Sequence, residues 1–181
     1  MEIYDFVAQA IGVVAMAFNV LSFQLRSRNG VILLQSIGAF LFSVNFFMLG
    51  AYGGCILNII VVLRSLVFFN AERTRARHPL WTALFVAAYI GTYVSLFTLF
   101  GVAITPVNLV VESLTVIGMC FSHAGLYFNT ARHIRFFGIG SSPLWLVYNV
   151  INFAVGAIVC ESLNIISIAV GILRHDVKRK R

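Results

Sequence analysis

The chain has 181 residues, of which 60% are hydrophobic and only 10% are charged, and its formal net charge is +7. A water-soluble domain of this length needs far more polar surface, so the composition excludes a soluble globular protein and indicates an integral membrane protein. The positive charge does not indicate a nucleic-acid partner, because the basic residues flank apolar segments, where anionic lipid headgroups attract them.

Apolar segments recur along the chain at the spacing of membrane-spanning helices. A hydrocarbon core of about 30 Å needs about 20 apolar residues per helix, and charged residues separate the segments at close to that interval. We therefore predict an all-α integral membrane protein with seven transmembrane helices. In chain order they are Phe6–Leu25, Val31–Gly50, Cys55–Asn70, Leu80–Phe100, Val107–Phe128, Phe137–Gly156 and Cys160–Leu173.

The basic residues predict how these helices are oriented. With the amino terminus outside, every Lys and Arg lies on the cytoplasmic side, including Arg64 in the cytoplasmic half of the third helix. The outer segments hold Glu2, Asp5 and Glu161 and no basic residue. This separation is the positive-inside pattern, so we predict an outside amino terminus and a cytoplasmic carboxyl terminus. The basic tail, residues 177–181, is expected to contact anionic lipid headgroups at the cytoplasmic face.

The cysteines and the known catalytic motifs give no sign of an enzyme. Cys55, Cys120 and Cys160 form no closely spaced metal or redox motif, and the sequence contains no H-E-x-x-H or G-x-S-x-G. Cys55 and Cys160 lie near the outer ends of their predicted helices, which leaves two interpretations, a disulfide or small buried residues. We expect no metal, no cofactor and no enzymatic activity.

The chain carries a faint internal duplication. The residues Leu57–Ile60 (LNII) reappear as Leu163–Ile166, at an offset of 106 residues (58 to 164). The same offset relates Gly12 to Gly118, Arg26 to Arg132 and Gly50 to Gly156. It maps the first three helices onto the last three, so we predict two parallel three-helix repeats joined by a linker helix, a 3-1-3 plan. The predicted units are residues 1–70, the basic loop and linker helix 71–105, residues 106–176 and the tail 177–181.

These features resemble a known transporter superfamily. The 3-1-3 plan and the matched Asn58 and Asn164 resemble the SWEET and PQ-loop superfamily of small-solute transporters, and residues 22–30 (SFQLRSRNG) resemble its glutamine-and-basic turn. Phe23 stands where that turn has a proline. Size and pattern are also similar to the YgjV-type bacterial inner-membrane proteins over essentially the whole chain. The resemblance implies a bacterial inner-membrane protein with a periplasmic amino terminus, which moves a small polar solute by alternating access.

Two asparagines are the first candidates for a solute site. By the resemblance, Asn58 and Asn164 match an asparagine pair that faces the central cavity and binds a polar substrate. An amide offers both donors and an acceptor without the desolvation cost of a charge. The alternative is that each asparagine joins helices by an interhelical hydrogen bond, at roughly 1 kcal/mol per contact.

The second and sixth predicted helices supply further candidates for substrate binding. Asn45 lies in the second, and Trp145, Tyr148 and Asn152 are spaced three or four residues apart in the sixth, which places them on one helical face. An aromatic wall with an amide beside it suits a ring-shaped or planar solute. The alternative for Trp145 and Tyr148 is an interfacial aromatic belt.

Three ionisable residues inside the predicted spans are candidates for coupling or gating. Glu112 and His123 lie on one face of the fifth helix and are candidates for proton coupling. The alternatives are that Glu112 reaches outer water and that His123 is a packed hydrogen-bonding residue. Arg64 is predicted to snorkel to the cytoplasmic surface, and its functional alternative is a gate or an anion contact.

The start of the sixth predicted helix is rich in residues that weaken a helix. Gly138, Gly140, Ser141, Ser142 and Pro143 could form a flexible inner opening, or only a cap followed by a proline near the first turn. Two functions stay open from the sequence. One is a transporter or facilitator of a sugar-like, nucleoside-like or other small metabolite, and the other is a non-transporting membrane interaction or assembly protein. A homo-oligomer is compatible with both.

Overall fold

The computed structural model describes residues 3–49, 52–152 and 155–177, and these residues contain seven α-helices and no strand. This confirms the predicted all-α class. The predicted contact of residues 178–181 with lipid headgroups lies outside the described residues. The helices are α1 (Ile3–Ser22), α2 (Arg28–Met48), α3 (Tyr52–Phe69), α4 (Pro79–Thr98), α5 (Pro106–Tyr127), α6 (Ala131–Ile151) and α7 (Val155–Ile172), and a π-helical turn (Leu173–Val177) follows α7.

Capping residues account for three of the helix starts. The side chains of Ser27, His78 and Thr105 each accept a hydrogen bond of 3.1 to 3.2 Å from an amide in the first turn of α2, α4 and α5. Pro79 and Pro106 occupy the first positions of α4 and α5. Proline lacks a backbone N–H, and an N–H at this position would have no hydrogen-bond partner within the helix.

The predicted start of the sixth helix is wrong. Helix α6 begins at Ala131, before the Gly138 to Pro143 run, and Pro143 lies inside it. Because the run lies inside the helix, it is neither a flexible opening nor a first-turn cap. Its small residues instead let neighbouring helices pack closely against α6. A Cβ on Gly140 would lie 2.7 Å from the ring of Phe121, and the Ser141 hydroxyl donates a 2.8 Å hydrogen bond to the Gly118 carbonyl.

The predicted start of the seventh helix is also too late. Helix α7 begins at Val155 and includes Gly156, which had been assigned to the end of the sixth helix. As a result Glu161, assigned to an outer segment by its charge, lies more than one turn inside α7. A single carboxylate in an apolar stretch was treated as a boundary, although it belongs to a continuous helix.

The helices have the length and surface of a membrane protein. Four segments, Arg28–Met48, Pro79–Thr98, Pro106–Tyr127 and Gly156–Val177, are long and apolar enough to cross a bilayer, and Phe6–Ser22 and Gly54–Phe69 are shorter apolar helices. Large hydrophobic side chains are exposed on the outer surfaces of all seven helices. A surface of this kind requires lipid as its solvent.

The helices pack mainly against their neighbours in the chain. Helix α2 contacts α1 and α3, helix α6 contacts α5 and α7, and α4 contacts α3 and α5. The two ends of this series meet because α1 contacts α7 and α2 contacts α6. We call the end of the bundle that holds the turns 23–27, 70–78 and 128–130 the basic face, and the opposite end, where α1 begins, the amino-terminal face.

One glycine sets the distance between α7 and the turn that follows α1. A Cβ on Gly171 would lie 2.5 Å from the Phe23 carbonyl oxygen and 2.9 Å from Cδ of Arg135. Phe23 belongs to the turn after α1, so this contact joins the two ends of the bundle at the basic face. Gly91 in α4 has nothing within 4 Å of its Cβ position, which makes it a matched control.

We predict that Gly171→Ala destabilises the folded protein by about 1–3 kcal/mol, because the added methyl group cannot fit without moving backbone. Gly91→Ala is expected to leave stability unchanged or slightly higher, since alanine favours helix. Denaturant unfolding of both variants in detergent micelles measures the difference. Equal stability of the two variants would show that the contact at Gly171 is not restrictive.

Candidate functional site

A cavity of about 620 Å³ lies inside the bundle. This volume is within the range of small-molecule sites, about 300–1,000 Å³. Its lining residues come from α1, α2, α3, α5, α6 and α7, and no described residue of α4 contributes. The polar and charged members of the lining are Gln9, Asn19, Gln35, Asn45, Asn58, Arg64, Ser122, Ser141, Ser142, Asn149, Glu161 and Asn164.

The predicted asparagine pair lines this cavity. Asn58 donates a 2.9 Å hydrogen bond to the Gly54 carbonyl, and Asn164 Nδ2 lies 3.8 Å from the Cys160 sulfur, so both contacts stay within one helix. Asn164 is buried and its Oδ1 has no partner. For these two residues the structure gives no hydrogen bond to another helix, which counts against the helix-joining alternative.

Asn45 and Trp145 also line the cavity. Asn45 also joins two helices, because its Nδ2 donates a 2.7 Å hydrogen bond to the Ala8 carbonyl of α1. The indole Nε1 of Trp145 lies 2.8 Å from the position that a Cβ of Gly118 would occupy. A glycine on α5 therefore makes room for the Trp145 ring at the cavity wall.

Tyr148 and Asn152 are not among the described residues that line the cavity. The Tyr148 hydroxyl lies beside the Glu112 carboxyl group of α5, and the Tyr148 ring packs edge-on against Trp145. Asn152 is exposed, and its amide donates a 2.9 Å hydrogen bond to the Tyr148 carbonyl. These residues thus support the wall behind Trp145, and their predicted role in substrate binding stays a prediction.

Glu112 and His123 are buried but do not border the cavity. Eleven residues of helix separate them, which is about 16 Å, too far for direct proton exchange. His123 accepts or donates a 3.3 Å hydrogen bond with the Thr82 hydroxyl of α4 and packs against three aromatic rings, those of Phe68, Phe85 and Tyr89. Glu112 contacts Tyr148 instead of outer water. Proton coupling through this pair stays a prediction.

Arg64 does not snorkel to the surface. Its side chain is only 4% exposed, and Nη1 donates to the Tyr89 hydroxyl at 3.1 Å and to the Met119 carbonyl at 3.4 Å. The guanidinium turns inward because α4 and α5 supply acceptors beside a cavity that it also lines. The prediction of a snorkelling side chain is therefore wrong, and the alternatives of a gate or an anion contact stay open.

The sequence analysis missed several polar residues of the cavity, above all Glu161. Its carboxyl group lies beside the Ser142 hydroxyl on α6 and the Asn164 amide. Ser142 lies in a predicted helix, so its position as an intramembrane polar residue could have indicated it. Glu161 was hidden by the late predicted start of α7.

Two arginines close the basic face in a reciprocal way. Arg28, at the start of α2, donates to the carbonyls of Leu126 and Phe128 at the end of α5, at 2.9 and 3.0 Å. Arg135, near the start of α6, donates to the carbonyls of Phe23 and Leu25 in the turn after α1, at 3.3 and 3.0 Å. Each arginine therefore binds carbonyls at or just after the end of a helix in the opposite half of the chain.

Each of these arginines also binds a group at or just after the third helix of its own half. Arg28 donates to the Phe68 carbonyl at 3.0 Å, and Arg135 forms a bidentate ion pair with Asp176, at 2.7 and 2.9 Å. Arg135 is only 2% exposed. Cations at helix carboxyl ends interact favourably with the helix dipole.

Gln24, in the glutamine-and-basic turn, adds to this contact. Its amide donates to the carbonyl and hydroxyl oxygens of Ser167 on α7, at 2.7 and 2.8 Å, and the Ser167 hydroxyl donates to the Val20 carbonyl at 2.6 Å. His175 bonds the Gln24 carbonyl at 2.8 Å. The turn after α1 is thereby fixed to α7, and we call this network, together with Arg28 and Arg135, the basic clasp.

The structure decides between the two interpretations of Cys55 and Cys160. All three cysteines are free, so the disulfide interpretation for Cys55 and Cys160 is wrong. Cys55 contacts the Ser43 hydroxyl at 3.6 Å, and Cys160 is buried beside Asn164. Within the described ranges, no group of three or more His, Cys, Asp or Glu residues could hold a metal ion.

Comparison with known proteins identifies the family of this chain. A family described as Imp-YgjV, bacterial inner membrane protein, matches residues 6–179. The chain therefore belongs to the Imp-YgjV family of bacterial inner membrane proteins. No curated protein and no solved structure matches it.

We predict that a thiol placed in the cavity reacts with a charged, membrane-impermeant methanethiosulfonate reagent. In a background with the three native cysteines replaced by alanine, Asn164→Cys should react at least about tenfold faster than Ile166→Cys, because thiolate forms in water and not in lipid. Ile166 is the matched control, since it lies on the same helix and is 59% exposed on the apolar outer surface. Equal rates for the two variants would contradict a water-accessible cavity.

Proposed function

We propose that this protein is a transporter or facilitator of a small polar solute, which works by alternating access between two three-helix halves, Ile3–Phe69 and Pro106–Ile172. The observation that carries the proposal is the cavity, because all six helices of the two halves line it and α4 does not. A filled interface between the halves would favour a non-transporting assembly protein, and a cavity with amide walls counts against that alternative.

The contacts between the halves support the predicted 3-1-3 arrangement. Within each half the helices pack in chain order, and the halves meet where α1 contacts α7 and α2 contacts α6. The roles of Arg28 and Arg135 are equivalent, because each binds carbonyls at or just after the first helix of the other half and a group at or just after the third helix of its own. Parallel repeats related by an axis along the membrane normal would produce this reciprocity.

The basic clasp suggests which state of a transport cycle the structure represents. The lining residues nearest the basic face, Phe23 and Ile134, are buried, whereas Leu49 and Gly156 at the amino-terminal face are exposed. The positive-inside pattern makes the basic face cytoplasmic. We therefore take this structure as an outward-open state, closed at the cytoplasmic side by Arg28, Arg135 and Gln24.

We predict that Asn58→Ala and Asn164→Ala reduce solute binding by about tenfold or more, because each removes an amide that has no partner in another helix. A thermal-stability screen of the purified protein against sugars, nucleosides, amino acids and organic acids identifies a ligand, which stabilises only the folded form. Uptake of that ligand into proteoliposomes then compares the variants.

Asn70→Ala is the control for this experiment, because Asn70 is exposed in the turn after α3 and does not border the cavity. It should bind and transport the ligand as the unchanged protein does. Normal uptake by both cavity variants would remove the asparagine pair from the site.

We predict that the double variant Arg28→Gln with Arg135→Gln opens the cavity toward the basic face. Each substitution removes charge-assisted hydrogen bonds that join the halves, about 1.5–3 kcal/mol per bond, enough to shift a two-state population at least about tenfold. The reporter is a thiol at position 122, Ser122→Cys, on the cavity wall. Labelling with an impermeant reagent from each side of oriented vesicles measures the change.

The matched control removes the same charge elsewhere on this face. Arg73 and Arg132 are exposed at the basic face, and the structure shows no hydrogen bond from either side chain. Arg73→Gln with Arg132→Gln should therefore leave labelling from the basic side as low as in the unchanged protein. If the two double variants label alike, the clasp is not a gate.

A further inference from the structure

The strongest unexplained feature of the cavity is the buried guanidinium of Arg64. Arginine stays protonated in proteins, so this group carries a full positive charge. Both of its hydrogen bonds come from Nη1, and Nε has no partner. Its acceptors, the Tyr89 hydroxyl and the Met119 carbonyl, are uncharged. Among the described residues the only ion pair is Arg135 with Asp176, so no carboxylate neutralises Arg64.

A buried charge without a counterion is costly, by several kcal/mol per ion in real proteins. Buried charges in proteins are therefore paired or hydrogen-bonded. Arg64 meets this requirement only in part, and its side chain lines the cavity. A ligand that brings an anionic group to the cavity would supply the missing partner. Guanidinium has a planar fork of donors that matches the oxygens of a carboxylate or of a phosphate.

A second ionisable group lies on a different wall of the same cavity. Glu161 projects from α7 and lines the cavity, with Ser142 and Asn164 as its polar contacts. No described basic side chain pairs with it. The cavity therefore presents a cation from α3 and an acid from α7.

No ion pair joins the two groups across the cavity. Arg64 binds the Met119 carbonyl of α5, whereas Glu161 lies beside Ser142 of α6. The two side chains stay apart by more than 4.0 Å, the longest ion-pair distance, so each is free to bind a separate end of a solute.

From this geometry we infer that the solute is a small zwitterion, whose carboxylate binds Arg64 and whose ammonium group binds Glu161. The inference rests on the proposed transport function and names its substrate class. A zwitterion adds no net charge to the cavity and supplies a partner to each of the two isolated groups. A neutral sugar would leave both charges without a partner, and a simple carboxylate would leave Glu161 facing an added negative charge.

The experiment compares each zwitterion with the acid and the amine that carry only one of its two charged groups. The probes are glycine, β-alanine, γ-aminobutyrate and δ-aminovalerate, together with the carboxylic acids and the primary amines of matching chain length. Binding is measured by isothermal calorimetry and by thermal stability of the unchanged full-length protein. At least one zwitterion should bind about tenfold or more tightly than its matched acid and its matched amine, because only the zwitterion pairs both charges.

Two variants test which residue binds each charged end of the zwitterion. In Arg64→Gln the preferred zwitterion should bind no more tightly than the matched amine, and in Glu161→Gln it should bind no more tightly than the matched acid. Arg64→Lys keeps the charge and should retain part of the preference. The comparison on the unchanged protein needs no variant, so the inference stays testable if a substituted protein does not fold.

Three results would overturn the inference. One is an acid or an amine that binds as tightly as every zwitterion, and another is the absence of binding by all zwitterions. The third is a neutral sugar or nucleoside that binds, is transported and depends on Asn58 and Asn164. The last result would leave the proposed transport function intact, whereas loss of transport for every solute class would contradict both.

Discussion

The fold depends on two guanidinium groups that join its halves where four helices end or begin. Arg28 and Arg135 lie at or near the starts of α2 and α6, and each donates to carbonyls at or just after the end of the first helix of the other half. Carbonyls at a helix end lack intrahelical partners. The contacts therefore bond carbonyls at the end of α5 and in the turn after α1 and, in the same step, hold the halves together at one face. A cavity can then exist above this level without separating the helices.

This reciprocal arrangement explains why the duplication is faint in the sequence. At the offset of 106 residues Arg135 aligns with Asn29, and Arg28 aligns with Ile134, so the two arginines miss each other by one position. Their geometry is nevertheless equivalent, because a side chain as long as arginine reaches the same carbonyls from either of two adjacent positions. An alignment of residue types detects Gly12 with Gly118 and Asn58 with Asn164, but it cannot detect a contact that has shifted by one residue between the halves.

Hydropathy and charge were enough to locate all seven helices, because the spacing of apolar segments is set by the bilayer. The errors arose where one residue type is compatible with two different structural roles. The Gly138 to Pro143 run was taken as weak helix, although small residues also permit close packing against α5 and α7. Arg64 and Glu161 were taken as groups that reach water, yet both lie beside a cavity that only the assembled helices create. Burial of this kind depends on neighbours from distant parts of the chain, which no local pattern encodes.

The buried polar atoms without partners separate structural groups from groups that await a ligand. Four such atoms occur among the described residues, on Arg64, Glu112, His123 and Asn164. Glu112 and His123 do not border the cavity, and their polar neighbours are Tyr148 and Thr82. Arg64 and Asn164 do border the cavity, although their partnerless atoms themselves are buried. Because an unmet donor or acceptor costs about 1–3 kcal/mol, a rotation of these two side chains that lets a solute bond the buried atoms would recover that free energy on binding.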